Sequence, residues 1–477
     1  FLNIAKARKL NESPSNKILD PKTGKKFAKS NDLREHVHKH FQNIFKFKEQ
    51  LNTNIETFLK DAKNSPNTLN KKLTDEERDE NDKEITEEEL EQSLKGSNSG
   101  KTPGTDGIEK AFLSRYWDIL KNTITRSTSF FIENQKTNRY LERGLIKIIP
   151  KNGKDLKVIG DWRPITLLSQ IYKLISGVMA NRLKKLLPKM ISPNQKAYQS
   201  DKNIGEILLD IFETISILKH HKKPAMILLI DFSKAFDSIS HNFIYDTLKF
   251  FNFGPYFINV IKTMLANRQC TVMIDGHETK PFNIERGVPQ GDTASPFIFI
   301  LVLEILILRI LNDPNLKPIK LTSDNHKKND GGDLEIPPLH CFADDMTAIF
   351  EETEENLINL KTIFSEFNDL SGLEINETKT NVIRIGDNLD NTTPLTDKVK
   401  FKYATTFRLL GIDIDNKLEN LQSNFTVRLT KIKKIINQWK RFNLSVVGNI
   451  IISKTFLISQ LVKNFYLNRI SFGRIQI

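Results

Sequence analysis

Residues 340–350 read His340-Cys341-Phe342-Ala343-Asp344-Asp345-Met346-Thr347-Ala348-Ile349-Phe350, "HCFADDMTAIF". Two adjacent carboxylates stand inside an apolar run. Buried there, each charge needs a partner, because burying an uncompensated charge is very costly. Neighbouring residues on a flat strand point to opposite faces, so both carboxylates serve one site only if they lie at a tight turn. Divalent metal is the natural partner. Asp231 is the candidate third ligand, because it too ends an apolar run, Ala225 to Asp231 ("AMILLID"), as a buried strand would. Mg2+ takes a few carboxylates together with waters and substrate phosphates. Two such ions about 3.5–4 Å apart activate an attacking oxygen and stabilise a leaving one. Asp344 is assigned the direct metal role and Asp345 a supporting one. The bland alternative is an Asp-Asp turn in a hairpin, since Asp is a common turn residue.

The chain has 477 residues and 39% apolar residues, enough for two or three domains or one multi-lobed enzyme with a sizeable core. It carries a net charge of +13, which points to a polyanionic partner, most simply nucleic acid. The charge is unevenly placed. From Asn420 to Ile477 there is no Asp or Glu, while Arg428, Lys431, Lys433, Lys434, Lys440, Arg441, Lys454, Lys463, Arg469 and Arg474 lie in that span. Two cysteines, Cys270 and Cys341, give no disulfide framework or zinc spacing and favour a reducing, intracellular home. The chain begins Phe1-Leu2 rather than with Met, so it is expected to be a fragment whose targeting is unreadable. The apolar run Phe297 to Leu311 is shorter than the ~20 residues of a membrane span and contains Glu304 and Arg309, so a buried core helix is expected.

Along the chain, Phe41, Ile44, Phe45 and Phe47 predict a short packing helix. In the acidic stretch 74–92, the first half reads as a solvated linker. The second half reads as a helix begun by a Thr86/Glu89 capping box. "SNSGKTPGTDGI" (97–108) demands a defined turn, "LIKIIPK" (145–151) a strand, and "YKLISGVMANRLKKLLPKM" (172–190) a helix ending near Pro188. Thr322 to Pro338 reads as a polar loop, and the basic stretch Leu429 to Trp439 as a helix that packs through Ile432, Ile435 and Ile436. Elements alternate irregularly, which favours an α+β core with helical extensions.

"DFSKAFDSI" (231–239), "ERGVPQGDTASPFIFILVLEIL" (285–306) and "CFADD", in this order, resemble a reverse transcriptase. "GKTPGTDGI" (100–108), "IPKNGKDLKVIGDWRPITLLSQIYKLISGVMANRL" (149–183) and "ISPNQKAYQSDKNI" (191–204) resemble the fingers of a non-LTR, LINE-type enzyme. "SGLEINETKTNVI" (371–383) and "FRLLGIDI" (407–414) resemble its later palm motifs, and "WKRFNLSVVGNIIISKTFLISQL" (439–461) its thumb. Roughly residues 85–465 are covered, and so many motifs in one order are very specific.

The resemblance implies a right-hand polymerase. Residues 1–84 would be an N-terminal extension and linker, 85–222 fingers, 223–415 a palm of antiparallel sheet flanked by helices (fingers/palm helices at 241–270), and 416–477 a basic helical thumb. It implies an RNA-directed DNA polymerase, a nucleotidyltransferase that joins dNTPs to a primer 3′-hydroxyl, with an RNA template and a DNA primer or target as partners. Asp231, Asp344 and Asp345, with Phe232, would sit at two Mg2+ ions, with Mn2+ as a substitute. Lys379 would protonate the leaving pyrophosphate. Lys151 and Arg163 would grip the triphosphate, Phe236 would exclude a 2′-hydroxyl, and Gln290 with Gly291 would meet the templating pair. The plain alternatives are a solvated turn for Lys151, a surface lysine for Lys379, a core ring for Phe236 and turn geometry for Gly287 and Gly291. Nucleus and cytoplasm are the expected locations, and no membrane is implied.

The endonuclease and Cys/His knuckle common in this family are not found here, so this chain alone is not expected to cut DNA. Rival readings are a group II intron type reverse transcriptase, an inactive nucleic-acid-binding relic and an RNA-dependent RNA polymerase. The three aspartates speak against the relic and Phe236 against the RNA polymerase.

Overall fold

A computed structural model describes residues 14–48, 54–100, 102–151, 153–199, 201–321, 334–386, 394–419 and 421–458. The chain interleaves two units. The first takes the described residues up to Ile191 together with Ser233–Leu306 and Glu366–Glu374, and the second takes Ser192–Phe232, Ile307–Ser365 and the described residues from Ile375 onward. Both mix helix and sheet, in keeping with the α+β reading.

The first unit is built on the sheet order Trp162–Leu167, Arg143–Pro150, Gln269–Ile274, His277–Glu278, with Phe282–Asn283 also on Gln269–Ile274. Strand Arg143–Pro150 alternates: Ile146 and Ile148 are buried, while Lys147 and Ile149 face solvent. It pairs antiparallel with Trp162–Leu167 and parallel with Gln269–Ile274. The buried face is covered by helix Ser30–Phe45, whose Val37, Phe41, Ile44 and Phe45 fall on one side at helical spacing and join Ile146, Ile148, Trp162 and Val272 in one core. Phe47, expected to pack with that helix, lies beyond its end and is exposed.

The acidic stretch departs from the linker reading. Residues Asp75–Asn81 form a helix, capped by Thr74 with Glu77 as Thr86 and Glu89 cap the helix Glu87–Gly96. Acidic residues in a first turn meet the positive helix end, so a run that looks solvated by composition is locally helix-forming. Its tertiary anchor is Arg182, buried on helix Gln170–Met190. Arg182 donates to the carbonyls of Asn81, Lys83 and Glu84 at 2.8–3.1 Å and to both Glu89 carboxylate oxygens at 2.6 and 2.8 Å.

The second unit holds the sheet Lys402–Tyr403, Asn381–Ile385, Ala225–Ile230, Asp345–Glu351, Leu339–Phe342, antiparallel except for its first pair. Strand Ala225–Ile230 lies in the middle and is almost wholly buried, which its continuous apolar run requires. Helix Ile204–His220 packs Ile207, Ile211, Phe212 and Ile215 against Ile227, Ile349 and Ile383, and the hairpin Thr406–Leu409/Ile412–Asp415 adds Phe407, Ile412 and Ile414.

Helix Ser295–Leu311 is apolar on every side and buried, as expected. Its two charges are paired: Glu304 with Lys71 in the first unit, and Arg309 with Asp313 in the second. Among the described residues, no helix is long and apolar enough to cross a membrane. Cys270 and Cys341 are both buried, and neither forms a disulfide among the described residues. Helix Gln422–Trp439 forms where the basic stretch predicts one. Of its three isoleucines only Ile432 is buried, while Ile436 is exposed, because the described residues cover only a narrow strip of that face. Lys463, Arg469 and Arg474, like residues 322–333 of the polar loop, lie outside the described residues.

Candidate active site

Strands Leu339–Phe342 and Asp345–Glu351 form a hairpin with a two-residue turn, Ala343-Asp344. Asp344 and Asp345 are therefore exposed at a tip rather than buried within a strand, which corrects the premise that their charges are buried. The turn that lets the pair serve one site is present. It puts Ala343 at φ 56°, a left-handed conformation that costs a residue with a Cβ about 1 kcal/mol or more.

Strand Asp345–Glu351 pairs antiparallel with Ala225–Ile230, with Met346 opposite Ile230. Asp345 and Asp231 each stand next to this last pair, at neighbouring strand ends. Like charges on neighbouring strands repel. A cation is already present: Lys379 Nζ lies 3.7 Å from Asp231 Oδ2, with the Lys379 and Asp231 side chains 57% and 47% exposed. The turn that carries Lys379 also holds the Asp231 backbone. Asn376 N donates to Asp231 O at 2.7 Å, and Asp231 N donates to Thr380 Oγ1 at 3.4 Å. The next residue, Phe232, is buried and bridges to Ile375.

Among the described residues no group of three or more His, Cys, Asp or Glu side chains is arranged to hold a metal ion. What the fold provides is an open edge with carboxylates from two neighbouring strands. That donor set suits Mg2+, which completes its shell with water and substrate oxygens.

Sequence reasoning missed the group that holds the hairpin tip. Gln195, fully buried, accepts from Ala343 N at 2.9 Å and donates to Ala343 O at 3.3 Å, so one side chain satisfies both backbone groups of the strained residue. Its flanks run alongside the hairpin: Lys196 N donates to Cys341 O and Cys341 N to Asn194 O. Tyr198 follows, and burial together with the Asp344 carboxylate raises its phenol above the ordinary range. The only local hint was a glutamine inside "SPNQKAYQ", with no partner in sight.

The remaining predicted residues belong to the first unit. Phe236 is half-buried and stacks on Phe299 with centroids 4.5 Å apart and planes 18° from parallel. Its carbonyl accepts from Val288 N at 2.8 Å, and Gly287 N donates to Ile239 O at 2.7 Å, so the loop 287–291 is tied to the turn 235–239. At Gly287, φ is +83° and a Cβ would sit 2.7 Å from the Asp237 backbone, so both conformation and space require glycine. On the loop's other side, Thr166 N donates to Gln290 O at 2.9 Å, and Gly291 lies against Ile165 and Thr166. Ile149 pairs with Arg163, and Lys151 N continues that ladder to Asp161 O, which places Lys151 and Arg163 on one face of the hairpin. Arg163 is exposed, while Lys151 Nζ donates to Gly160 O at 2.9 Å. Burial, Lys234 and then His36 and Lys151 push His40 down to about 4, so helix Ser30–Phe45 reaches this cluster of cations.

Asp237, next to Phe236, was not singled out by the sequence. It is buried, and burial pushes its carboxyl up to about 7 against the pull of Gln290, Lys234, Lys151 and Arg286. The folded chain therefore keeps this proton up to a higher pH than the unfolded chain, where Asp titrates near 3.9. Between about pH 4 and pH 7 the folded state binds more protons, so this group makes stability fall as pH rises through that window. Asp237→Asn cannot ionise, and its stability relative to wild type is expected to improve across the same window. Urea titrations at about pH 4.5 and about pH 7.5 measure this, and a constant difference between the two proteins would contradict the assignment.

The family profile described as reverse transcriptase (RNA-dependent DNA polymerase) matches residues 149–414. Over 388 residues the chain is 25% identical to "Transposon TX1 uncharacterized 149 kDa protein" of Xenopus laevis, covering 79% of this chain and 28% of that protein. It is 28% identical over 355 residues to a "Retrovirus-related Pol polyprotein from type-1 retrotransposable element R2" of Popillia japonica, covering 69% of this chain and 44% of that protein. It is 22% identical over 321 residues to the "RNA-directed DNA polymerase from mobile element jockey" of Drosophila melanogaster, covering 64% and 33%. The chain spans less than half the length of each of these relatives.

Proposed function

Since the chain belongs to the reverse transcriptase (RNA-dependent DNA polymerase) family, in agreement with the non-LTR resemblance of its motifs, we propose that it is the polymerase portion of a non-LTR retrotransposon protein. It copies RNA into DNA by joining dNTPs to a primer 3′-hydroxyl, with nicked target DNA as the natural primer. The observation that carries this reading is the antiparallel register that ends on Met346 opposite Ile230, so that the strand ends bearing Asp345 and Asp231 are neighbours, next to the Asp344 turn. In the right-hand arrangement, residues 85–222 serve as fingers, 223–415 as palm and 416–477 as thumb, and residues 1–84 precede them as an extension.

Asp231, Asp344 and Asp345, with the Phe232 backbone, are the groups that would hold two Mg2+ ions, or Mn2+ in their place. The metals supply activation of the attacking oxygen and neutralisation of charge on the leaving one. This chain's own residues do the rest. Lys379, placed at Asp231, is the proton donor to the departing pyrophosphate. Lys151 and Arg163 give the triphosphate a point charge and a bidentate fork from one hairpin face. The net charge of +13 favours a nucleic-acid partner. An intracellular location, in nucleus and cytoplasm, suits two cysteines that form no disulfide among the described residues and a nucleic-acid substrate.

Phe236 closes the sugar site, and Phe299 braces its ring. Phe236→Ala is expected to shift the dNTP-over-rNTP preference in kcat/KM toward ribonucleotides by about tenfold or more, because the exclusion is steric. An unchanged ratio would remove the gate role. The defining test of the function is primer extension on poly(A) RNA annealed to oligo(dT), with Mg2+ and dTTP. Extension by the folded chain is the expected result. Binding of RNA without extension would instead favour the relic reading.

A further inference from the structure

We propose that Asp237 is a positioning residue that aims Gln290 and so sets how strictly the nascent base pair is checked. The inference rests on the polymerase reading and on the role given there to Gln290.

Gln290 Nε2 donates to Asp237 Oδ1 at 3.0 Å. Asp237 is 5% exposed and Gln290 half-buried. A primary amide presents a donor end and an acceptor end, and the two exchange places when the amide flips. Above the pH at which Asp237 loses its proton, its carboxylate can only accept, so it holds Gln290 with the nitrogen inward, as in the 3.0 Å contact, and presents Oε1 on the opposite side. The backbone on both sides is held too firmly to do this by moving. The Gln290 carbonyl is taken by Thr166 N, Val288 N by the Phe236 carbonyl, and the Gly287 carbonyl by His241 Nε2 at 2.9 Å. Asp292 then caps helix Ser295–Leu311 through Ser295 N at 3.1 Å and Ser295 Oγ at 3.0 Å. With the main chain fixed from 287 to 295, the remaining freedom lies in the Gln290 side chain, and Asp237 removes it. Because Asp237 directly follows Phe236, the gate for the sugar and the residue that aims Gln290 share one short turn, Ala235–Ser238.

A side chain that acts through another is detected by non-additivity. Correct and mismatched dNTP incorporation would be measured by primer extension for wild type, Asp237→Ala, Gln290→Ala and the double variant, with melting curves for each. Asp237→Ala is expected to lower kcat/KM for the correct nucleotide about tenfold, mostly through KM, and to raise the misincorporation ratio. The double variant is expected to match Gln290→Ala within about twofold. Asp237→Asn keeps one acceptor and is expected to fall between wild type and Asp237→Ala, which guards against misfolding of the alanine variant. Multiplying effects in the double variant would overturn the proposal, because Asp237 would then act independently of Gln290. A harmful Asp237→Ala beside an unaffected Gln290→Ala would overturn it too, while leaving polymerase activity intact. Absence of extension by wild type would reject the polymerase reading itself, and the proposal with it.

Discussion

Asp344→Asn is expected to lower primer extension by about 10³-fold or more while leaving RNA affinity within about twofold. Asn is the closest neutral match to Asp and is itself a good turn residue, so the two-residue hairpin turn survives. The clamp on Ala343 is made by Gln195 to backbone atoms and does not use the Asp344 side chain. What is lost is one negative charge at a solvent-open edge where Asp231 and Asp345, on neighbouring strand ends, already call for cations. Removing one preorganised electrostatic group from a reaction centre commonly costs 10²–10³ in rate, roughly, and a metal ligand lies at the upper end. RNA affinity comes from cations spread over a chain of net charge +13, and neutralising one acid barely changes that field. The check is extension with Mg2+ beside a filter-binding titration on the same RNA. Full activity in the variant would sink the metal assignment. A parallel loss of RNA binding would point to damaged folding instead.

Lys71→Met is expected to destabilise the first unit by about 3–5 kcal/mol, the usual cost of removing one member of a buried ion pair. Glu304 is 0% exposed on an all-apolar helix, and Lys71 Nζ lies 3.4 Å from its Oε1. Lys71 Nζ also donates to Met190 O at 3.3 Å, so the cation is held from two sides. Methionine fills a similar volume but offers no charge. The double variant Lys71→Met/Glu304→Met removes both charges and is expected to recover most of the loss, because a buried ion pair gains little over an apolar pair. Urea unfolding followed through tryptophan fluorescence tests this, since Trp117 and Trp162 are buried in the same unit. A single variant within about 0.5 kcal/mol of wild type would show that Glu304 is carried by other groups.

The two predictions differ in how far the sequence could lead to them. Asp344 was legible at once, because two carboxylates in an apolar run conflict with local expectation, and such conflicts mark functional sites. Lys71 was invisible. Glu304 stood out as a charge in a core helix, but its partner lies more than two hundred residues earlier in an undistinguished Lys/Asn-rich segment. The acidic stretch misled for a related reason. Its composition reads as solvated, yet its carbonyls are the ligands of the buried Arg182, about a hundred residues away.

Sequence alone determined the elements and the motif order. The alternation in "LIKIIP", the unbroken apolar run of "AMILLI", the capping box at Thr86 and the helical spacing of 172–190 each depend on neighbours two to four residues apart, and that is the range over which backbone geometry repeats. The same local reading picked out Asp231, Asp344 and Asp345, whereas Phe236 and Gln290 were reached only through the family resemblance of their motifs. Tertiary structure alone decided which of these groups meet. It set Met346 opposite Ile230 beside Asp345 and Asp231, brought Lys379 to 3.7 Å from the Asp231 carboxylate, closed Gln195 on Ala343 and turned Gln290 onto Asp237. Strand register, and hydrogen bonds spanning 53 to 148 residues of chain, follow from how whole faces pack, and no periodicity within one segment encodes them.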